Sequence, residues 1–174
     1  MKKPEILAIN TAAKSRLFEI QAVDLRFSNG ELRTYERFKP STRSAVMILA
    51  IDEQQNLLLT YEYAVGTEQY ELGFPKGLME LGETPQQSAN RELQEEIGFK
   101  AERLTLLRTL ISSPGYILLA ESLSPSKLEG DEPEPLQLVR YPLADIDQLI
   151  EDPNFNEARN LAALFLLKKY LAQR

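Results

Sequence analysis

The period of apolar positions changes several times along the chain. Phe18, Ile20 and Ala22 alternate, then Val23, Leu25 and Phe27 alternate on the opposite phase, which predicts a strand carrying a bulge. Asn29-Gly30 is a two-residue turn signal and residues 32–38 return, so 17–38 reads as an antiparallel strand pair. Near-continuous apolar runs at 44–51 (SAVMILAI) and 56–64 (NLLLTYEYA) flank the polar turn 52–55 and predict a second pair. Shorter strands are expected at 71–73, 104–111, 117–123 and 136–141. Helical spacing marks 85–97, 143–150 and 156–171, the last with Leu161, Leu164, Phe165 and Lys168 in register. Strands, one central helix, more strands and closing helices argue for an α+β fold with a mixed sheet, not a regular βαβ fold. There is no internal repeat, and 174 residues suit one domain, 1–174.

The central helix poses an electrostatic problem. Thr84 is a fitting N-cap, Pro85 occupies the first turn, Gln87 completes a capping box, and Gly98 is placed to stop the helix. Ala89, Leu93 and Ile97 form its core stripe, which leaves Glu92, Glu95 and Glu96 crowded along one edge of the closing turns. That end of a helix already carries partial negative charge, and Glu92 with Glu96 is a like-charge i,i+4 pair. Arg91 reaches Glu95 at i,i+4, but no lysines are interleaved as on an ordinary solvated face. A divalent cation would neutralise the cluster.

Composition narrows the chemistry. The chain has no cysteine, so disulfides and thiolates play no part. It has no histidine either, so a base working near neutral pH must be a carboxylate or a metal-activated water. Oxygen donors alone favour a hard ion such as Mg²⁺ or Mn²⁺. A net charge of −6 argues against nucleic acid as a partner, and no apolar run is long enough for a membrane span or a signal peptide. A cytoplasmic location is expected.

The stretch GFPKGLMELGETPQQSANRELQEEIGF then becomes decisive. Gly77, five residues, Glu83, seven residues, and Arg91-Glu92-Leu93-x-Glu95-Glu96-x-Gly98-Phe99 meet all nine fixed positions of the Nudix box, residues 77–99. The chain is identified on this motif as resembling the Nudix hydrolases, which cleave nucleoside diphosphates linked to another moiety. The resemblance implies an α/β/α sandwich around a mixed sheet. It implies Glu92 and Glu96 as metal ligands with Glu95 assisting, and the backbone carbonyl of Lys76 as a further ligand. Gly77, Glu83, Arg91 and Gly98 are then structural, with Glu83 and Arg91 bracing loop against helix.

YEYAVGTEQYELGFPKG resembles the approach to the box in ADP-ribose pyrophosphatases, although Tyr61 stands where that group often has arginine. By that likeness Glu62 and Glu71 contact adenine or ribose, and Pro114 and Tyr116 of SSPGY belong to the substrate site. The relatives carry extra residues before the next strand. Here Tyr116 runs straight into Ile117, so either the loop is short or a segment of it is missing, and the second is expected. The acidic stretch LEGDEPEPL reads by itself as a solvated loop; by resemblance, Glu132 or Glu134, with Glu134 favoured, swings over the metal site as general base or extra ligand, beside Glu96. The implied activity is Mg-dependent hydrolysis of ADP-ribose, NADH or diadenosine oligophosphates with release of AMP. The implied assembly is a homodimer whose interface uses the N-terminal strands, 1–40, and the last of the C-terminal helices, 143–174. A non-catalytic ADP-ribose sensor on the same fold is the alternative, disfavoured because every box acid is kept.

Overall fold

The computed structural model describes residues 1–111 and 114–174, so Ser112 and Ser113 of the SSPGY turn lie outside the described residues. The chain divides into two compact units, Met1–Thr42 and Arg43–Arg174.

The first unit is a three-stranded antiparallel sheet in the order β1 (Glu5–Lys14), β2 (Glu19–Arg26), β3 (Leu32–Phe38). The expected pair is therefore a triple. β1 escapes the pattern because nearly all of its side chains are exposed, so burial imposes no alternation on them. The expected bulge is also displaced. β2 pairs with β3 without a register shift, and the irregularities fall between β1 and β2, at Ile6/Ala8 and Thr11/Ala13. β2 is the central strand, which accounts for apolar residues on both of its phases. The turn is longer than two residues: the Gly30 N–H donates to Phe27 O at 3.0 Å and the Phe27 N–H to Glu31 O at 2.8 Å, with Gly30 at φ 87°.

The second unit is a mixed sheet between two helical layers. Its strands run β10 (Gln137–Pro142), β5 (Asn56–Ala64), β4 (Ala45–Ile51), β9 (Gly115–Pro125), β8 (Phe99–Leu110). β6 (Gln69–Gly73) pairs with β5, and the short β7 (Lys76–Leu78), absent from the sequence reading, pairs with β4. Among the described residues only the β4–β9 pairing is parallel. β9 runs unbroken through Tyr116 and Ile117, in register with Val46 and Met47.

Alternation along β4 assigns the two cores. Val46, Ile48 and Ala50 pack with Leu118, Ala120 and the stripe Ala89, Leu93, Ile97 of the box helix. Met47, Leu49 and Ile51 pack with Phe74, Phe155 and the terminal helices, through Ile146, Leu149, Ala163, Leu164 and Leu167. Those helices are α2 (Ile146–Leu149), preceded by a 3₁₀ turn Leu143–Asp145, and α3 (Ala158–Leu171). Covering on both faces explains why the central strands read as apolar runs instead of alternations. The result is the α+β sandwich expected from sequence.

The box helix departs from a regular one. It begins as expected, with Gln87 N–H donating to Thr84 Oγ1 and Thr84 N–H to Gln87 Oε1, at 3.2 and 2.8 Å. α1 spans Pro85–Glu92, after which Leu93–Ile97 widens into a π turn. Gly98, at φ 75°, ends it by donating its N–H to Leu93 O. Such widened turns are frequent at functional sites because they re-aim side chains.

Candidate active site

A cavity of about 820 Å³ opens in the second unit where β4, β7, α1 and the loop after β9 meet. Its walls include Glu62, Lys76, Gly77, Arg91, Glu92, Glu95, Pro114, Tyr116 and Glu132 among the residues expected from sequence. The segment Glu129–Glu132 forms one side, and Met47, Ile117 and Leu110 supply apolar wall.

The carboxylates owe their placement to the loop that precedes the helix. Gly77 has no alternative: a Cβ there would lie 2.0 Å from the Glu92 carboxyl carbon and 2.1 and 2.2 Å from its two oxygens. The box glycine thus admits the Glu92 side chain against the backbone of β7. Arg91 then ties loop to helix. Its Nε donates to Glu83 Oε1 at 2.9 Å and its Nη2 to Glu83 Oε2 at 3.1 Å, Leu78 O at 3.0 Å and Ser88 Oγ at 3.3 Å. Its Nη1 donates to Glu92 Oε1 at 2.8 Å and to Glu95 Oε2 at 2.9 Å. This planar fork serves five partners, which a lysine could not. Hydrogen bonds from Arg91 hold the Glu83 carboxyl well below its usual range, at about 2.

Glu92 and Glu96 behave differently. Both are 8% exposed, and burial raises the pKa of each. Glu96 is pushed up to about 8, with Glu92 and Glu62 adding repulsion that Lys76 partly offsets. Its Oε1 accepts the Lys76 N–H at 3.3 Å. The Lys76 ammonium itself pairs with Glu62. Glu132, in the cavity lining, is also raised, first by burial and then by Glu62 and Asp131.

Of the residues expected to touch metal, water or substrate, three stand apart from the cavity walls, as do the structural Glu83 and Gly98. Glu96 lies behind them, buried beside Lys76. Glu71 pairs with Glu62 across β5–β6 but accepts from Thr67 Oγ1 at 2.6 Å and does not line the cavity. Glu134 accepts a hydrogen bond from Tyr70 OH at 2.5 Å and lies outside the lining as well. Conversely, Arg159, at the start of α3, and Glu80, inside the box loop, line the cavity without having been expected there. No sequence signal joins Arg159 to a motif that ends sixty residues before it.

The donor chemistry fits a hard divalent cation: oxygen ligands only, two of them on buried carboxylates whose ionisation burial resists. Among the described residues no three carboxylates yet surround one point, because Arg91 Nη1 sits between Glu92 and Glu95.

A box helix, its glycine-seated glutamate and its braced arginine on this sandwich define a Nudix enzyme. Residues 4–37 match the NudE-type Nudix hydrolase N-terminal domain and residues 41–165 the NUDIX domain, and the chain belongs to the Nudix hydrolase family. It is 54% identical to the ADP compounds hydrolase NudE of Escherichia coli strain K12, over 98% of this chain and 95% of that one. It is 30% identical to an ADP-ribose pyrophosphatase of Bacillus subtilis strain 168, over 91% of each. A crystal structure of an ADP compounds hydrolase superposes with a TM-score of 0.93 at 52% identity, covering 99% of this chain and 96% of the other. The chain is thus a hydrolase of the pyrophosphate-cleaving kind, in a family that uses divalent metal cations.

Proposed function

We propose that this enzyme hydrolyses the diphosphate bond of ADP-linked compounds, among them ADP-ribose, NADH and diadenosine oligophosphates, and releases AMP. The observation that carries the reading is the seating of Glu92 against Gly77, with Glu96 buried behind it, in a cavity large enough for a nucleotide. Kinship with an ADP compounds hydrolase and an ADP-ribose pyrophosphatase supports adenine diphosphates as the substrate class.

Glu92 and Glu96, with Glu95 and the Lys76 carbonyl, would hold Mg²⁺ or Mn²⁺. A divalent cation there supplies charge neutralisation for the pyrophosphate and acidifies the attacking water. Glu132 faces the cavity with a raised pKa and is suited to take the proton from that water. Glu62, Pro114 and Tyr116 line the space left for the nucleotide, and Glu71 is paired directly with Glu62 across β5–β6. Gly77, Glu83, Arg91 and Gly98 keep the loop–helix–loop in shape.

The described residues contain no helix long and apolar enough to cross a membrane, and the reading places the enzyme in the cytoplasm. Exposed Ile6, Phe18, Tyr35 and Phe38 on the N-terminal sheet support a homodimer, which light scattering would test. The deciding experiment follows AMP release from ADP-ribose, NADH, diadenosine triphosphate, nucleoside triphosphates and sugar nucleotides with Mg²⁺ and with Mn²⁺. Turnover of nucleoside triphosphates in preference to the ADP-linked compounds would overturn the substrate class.

A further inference from the structure

The acidic loop between β9 and β10 is fastened at both ends. At its start Ser126 N–H donates to Gly98 O at 2.9 Å, Leu128 N–H to Gln94 O at 3.1 Å, and Ser126 Oγ to Gln94 Oε1 at 2.8 Å. The Lys127 ammonium binds the Glu95 carbonyl. Gly130 lies so close to the helix that a Cβ would stand 3.2 Å from Glu95 Cβ. These contacts fix the near end of the loop to the box helix. The far end has another anchor, 64 residues away in sequence: the hydrogen bond from Tyr70 OH to Glu134 Oε1.

The geometry of that anchor separates two neighbouring acids. Tyr70 pairs with Tyr63 across β5–β6, ring against ring at 5.5 Å, whereas Glu62 pairs with Glu71. Successive strand residues face opposite ways, so the Tyr63–Tyr70 side of this hairpin is the reverse of the side bearing Glu62. Glu62 lines the cavity, and Glu134 is held on the reverse side. Glu132 faces the cavity two residues earlier. Pro133 lies between them and Pro135 follows; proline fixes φ at both and the chain bends at Pro133 and Glu134, so the segment has little conformational freedom. A stiff segment held at Glu134 cannot let Glu132 wander.

We propose that Tyr70 and Glu134 are positioning residues, a hydrogen-bonded latch that holds the far end of the acidic loop and so presents Glu132 to the reacting water. The inference rests on the reading of Glu132 as base. It gives the two loop acids different tasks: Glu132 handles the proton and Glu134 holds the loop. The phenol is a good donor to a carboxylate, and such a charge-assisted contact is stronger than a neutral one.

Four variants test the latch. Tyr70→Phe and Glu134→Ala each remove it, and each is expected to lower kcat on the order of tenfold with KM changed less. The double variant should be no worse than either single one, because one contact is lost in all three. Glu134→Gln still offers an oxygen to the phenol and should recover most of the kcat that Glu134→Ala loses. Independently of turnover, hydrogen–deuterium exchange at the amides of residues 128–136 should quicken in Tyr70→Phe and Glu134→Ala but not in Glu134→Gln. A Glu134→Gln enzyme as slow as Glu134→Ala, strictly additive losses, or unaltered exchange in Tyr70→Phe would each overturn the latch. Full activity in Glu132→Gln would instead overturn the base assignment, and the exchange measurements would still decide whether the loop is latched.

Discussion

Gly77 offers the sharpest test of how the site is built. In Gly77→Ala the new Cβ would stand 2.0 Å from the Glu92 carboxyl carbon, where carbon atoms in contact sit at about 3.5–4.0 Å. The carboxylate must therefore retreat by about 1.5 Å or more. Glu92 is only 8% exposed and its Oε1 is engaged by Arg91 at 2.8 Å, so the retreat breaks a charge-assisted hydrogen bond worth about 1.5–3 kcal/mol. Release of a buried carboxylate toward water returns part of that, which keeps the stability loss small. Catalysis has no such compensation. Displacing the proposed metal ligand by this distance should lower turnover about a hundredfold, about 2.7 kcal/mol in the barrier. AMP release from ADP-ribose measures the first effect, and titration calorimetry with Mg²⁺ the accompanying loss of metal affinity. A double-mutant cycle locates the cause. In a Glu92→Ala background the clashing group is gone, so adding Gly77→Ala should change the melting temperature by much less than it does in the wild type. Wild-type turnover in Gly77→Ala, or equal thermal losses in the two backgrounds, would refute the argument.

Glu96→Gln should reduce divalent-dependent turnover by about a hundredfold or more while leaving far-ultraviolet circular dichroism unchanged, and unaltered turnover would remove Glu96 from the mechanism. Leu93→Ala empties a fully buried position between the box helix and the sheet and should cost about 2–5 kcal/mol in urea unfolding, where a loss under 1 kcal/mol would mean the helix is not held by that face. Glu83 titrates near 2 when folded because Arg91 binds its ionised form, so the stability it contributes is complete above about pH 4.5 and disappears as the pH falls toward 2. Glu83→Gln should therefore narrow the difference in urea midpoint between pH 7 and pH 3, and parallel acid profiles for the two proteins would contradict the pairing.

What could be read from the residues alone was what local chemistry dictates. The capping box at Thr84 and Gln87, the stop at Gly98 and the stripe Ala89, Leu93, Ile97 all act within a few turns, and each stands where the pattern put it. The runs around β4 and β5 were legible because central strands bury both faces. β1 was not, since EILAINTAAK is almost wholly exposed and carries no period that burial would impose. The π turn at Leu93–Ile97 was hidden too, because a widened turn keeps the same residues and changes only which carbonyl each N–H finds. At the site, the Arg91–Glu95 contact was visible from i,i+4 spacing, whereas Arg91–Glu83 and Gly77–Glu92 depend on how the loop folds back. The contacts Tyr70–Glu134 and Lys76–Glu62 join different strands and loops, and pattern carries no trace of them.

The acids at the end of the box helix also answer the electrostatic problem they raise. Two cations of the chain already attend that end. Arg91 compensates Glu83, Glu92 and Glu95, and the Lys127 ammonium sits on the Glu95 carbonyl, where it opposes the negative end of the helix. Lys76, the next nearest, is committed through its ammonium to Glu62 and offers Glu96 only its backbone N–H. Glu96 is consequently the box acid that no side-chain cation touches among the described contacts, and it is the one whose pKa rises to about 8. The compensation is thus weakest at Glu96, while at Glu92 burial still outweighs the contact with Arg91. Glu92 and Glu96 are the residues that would hold a divalent cation, and its charge would offset the repulsion left at Glu96.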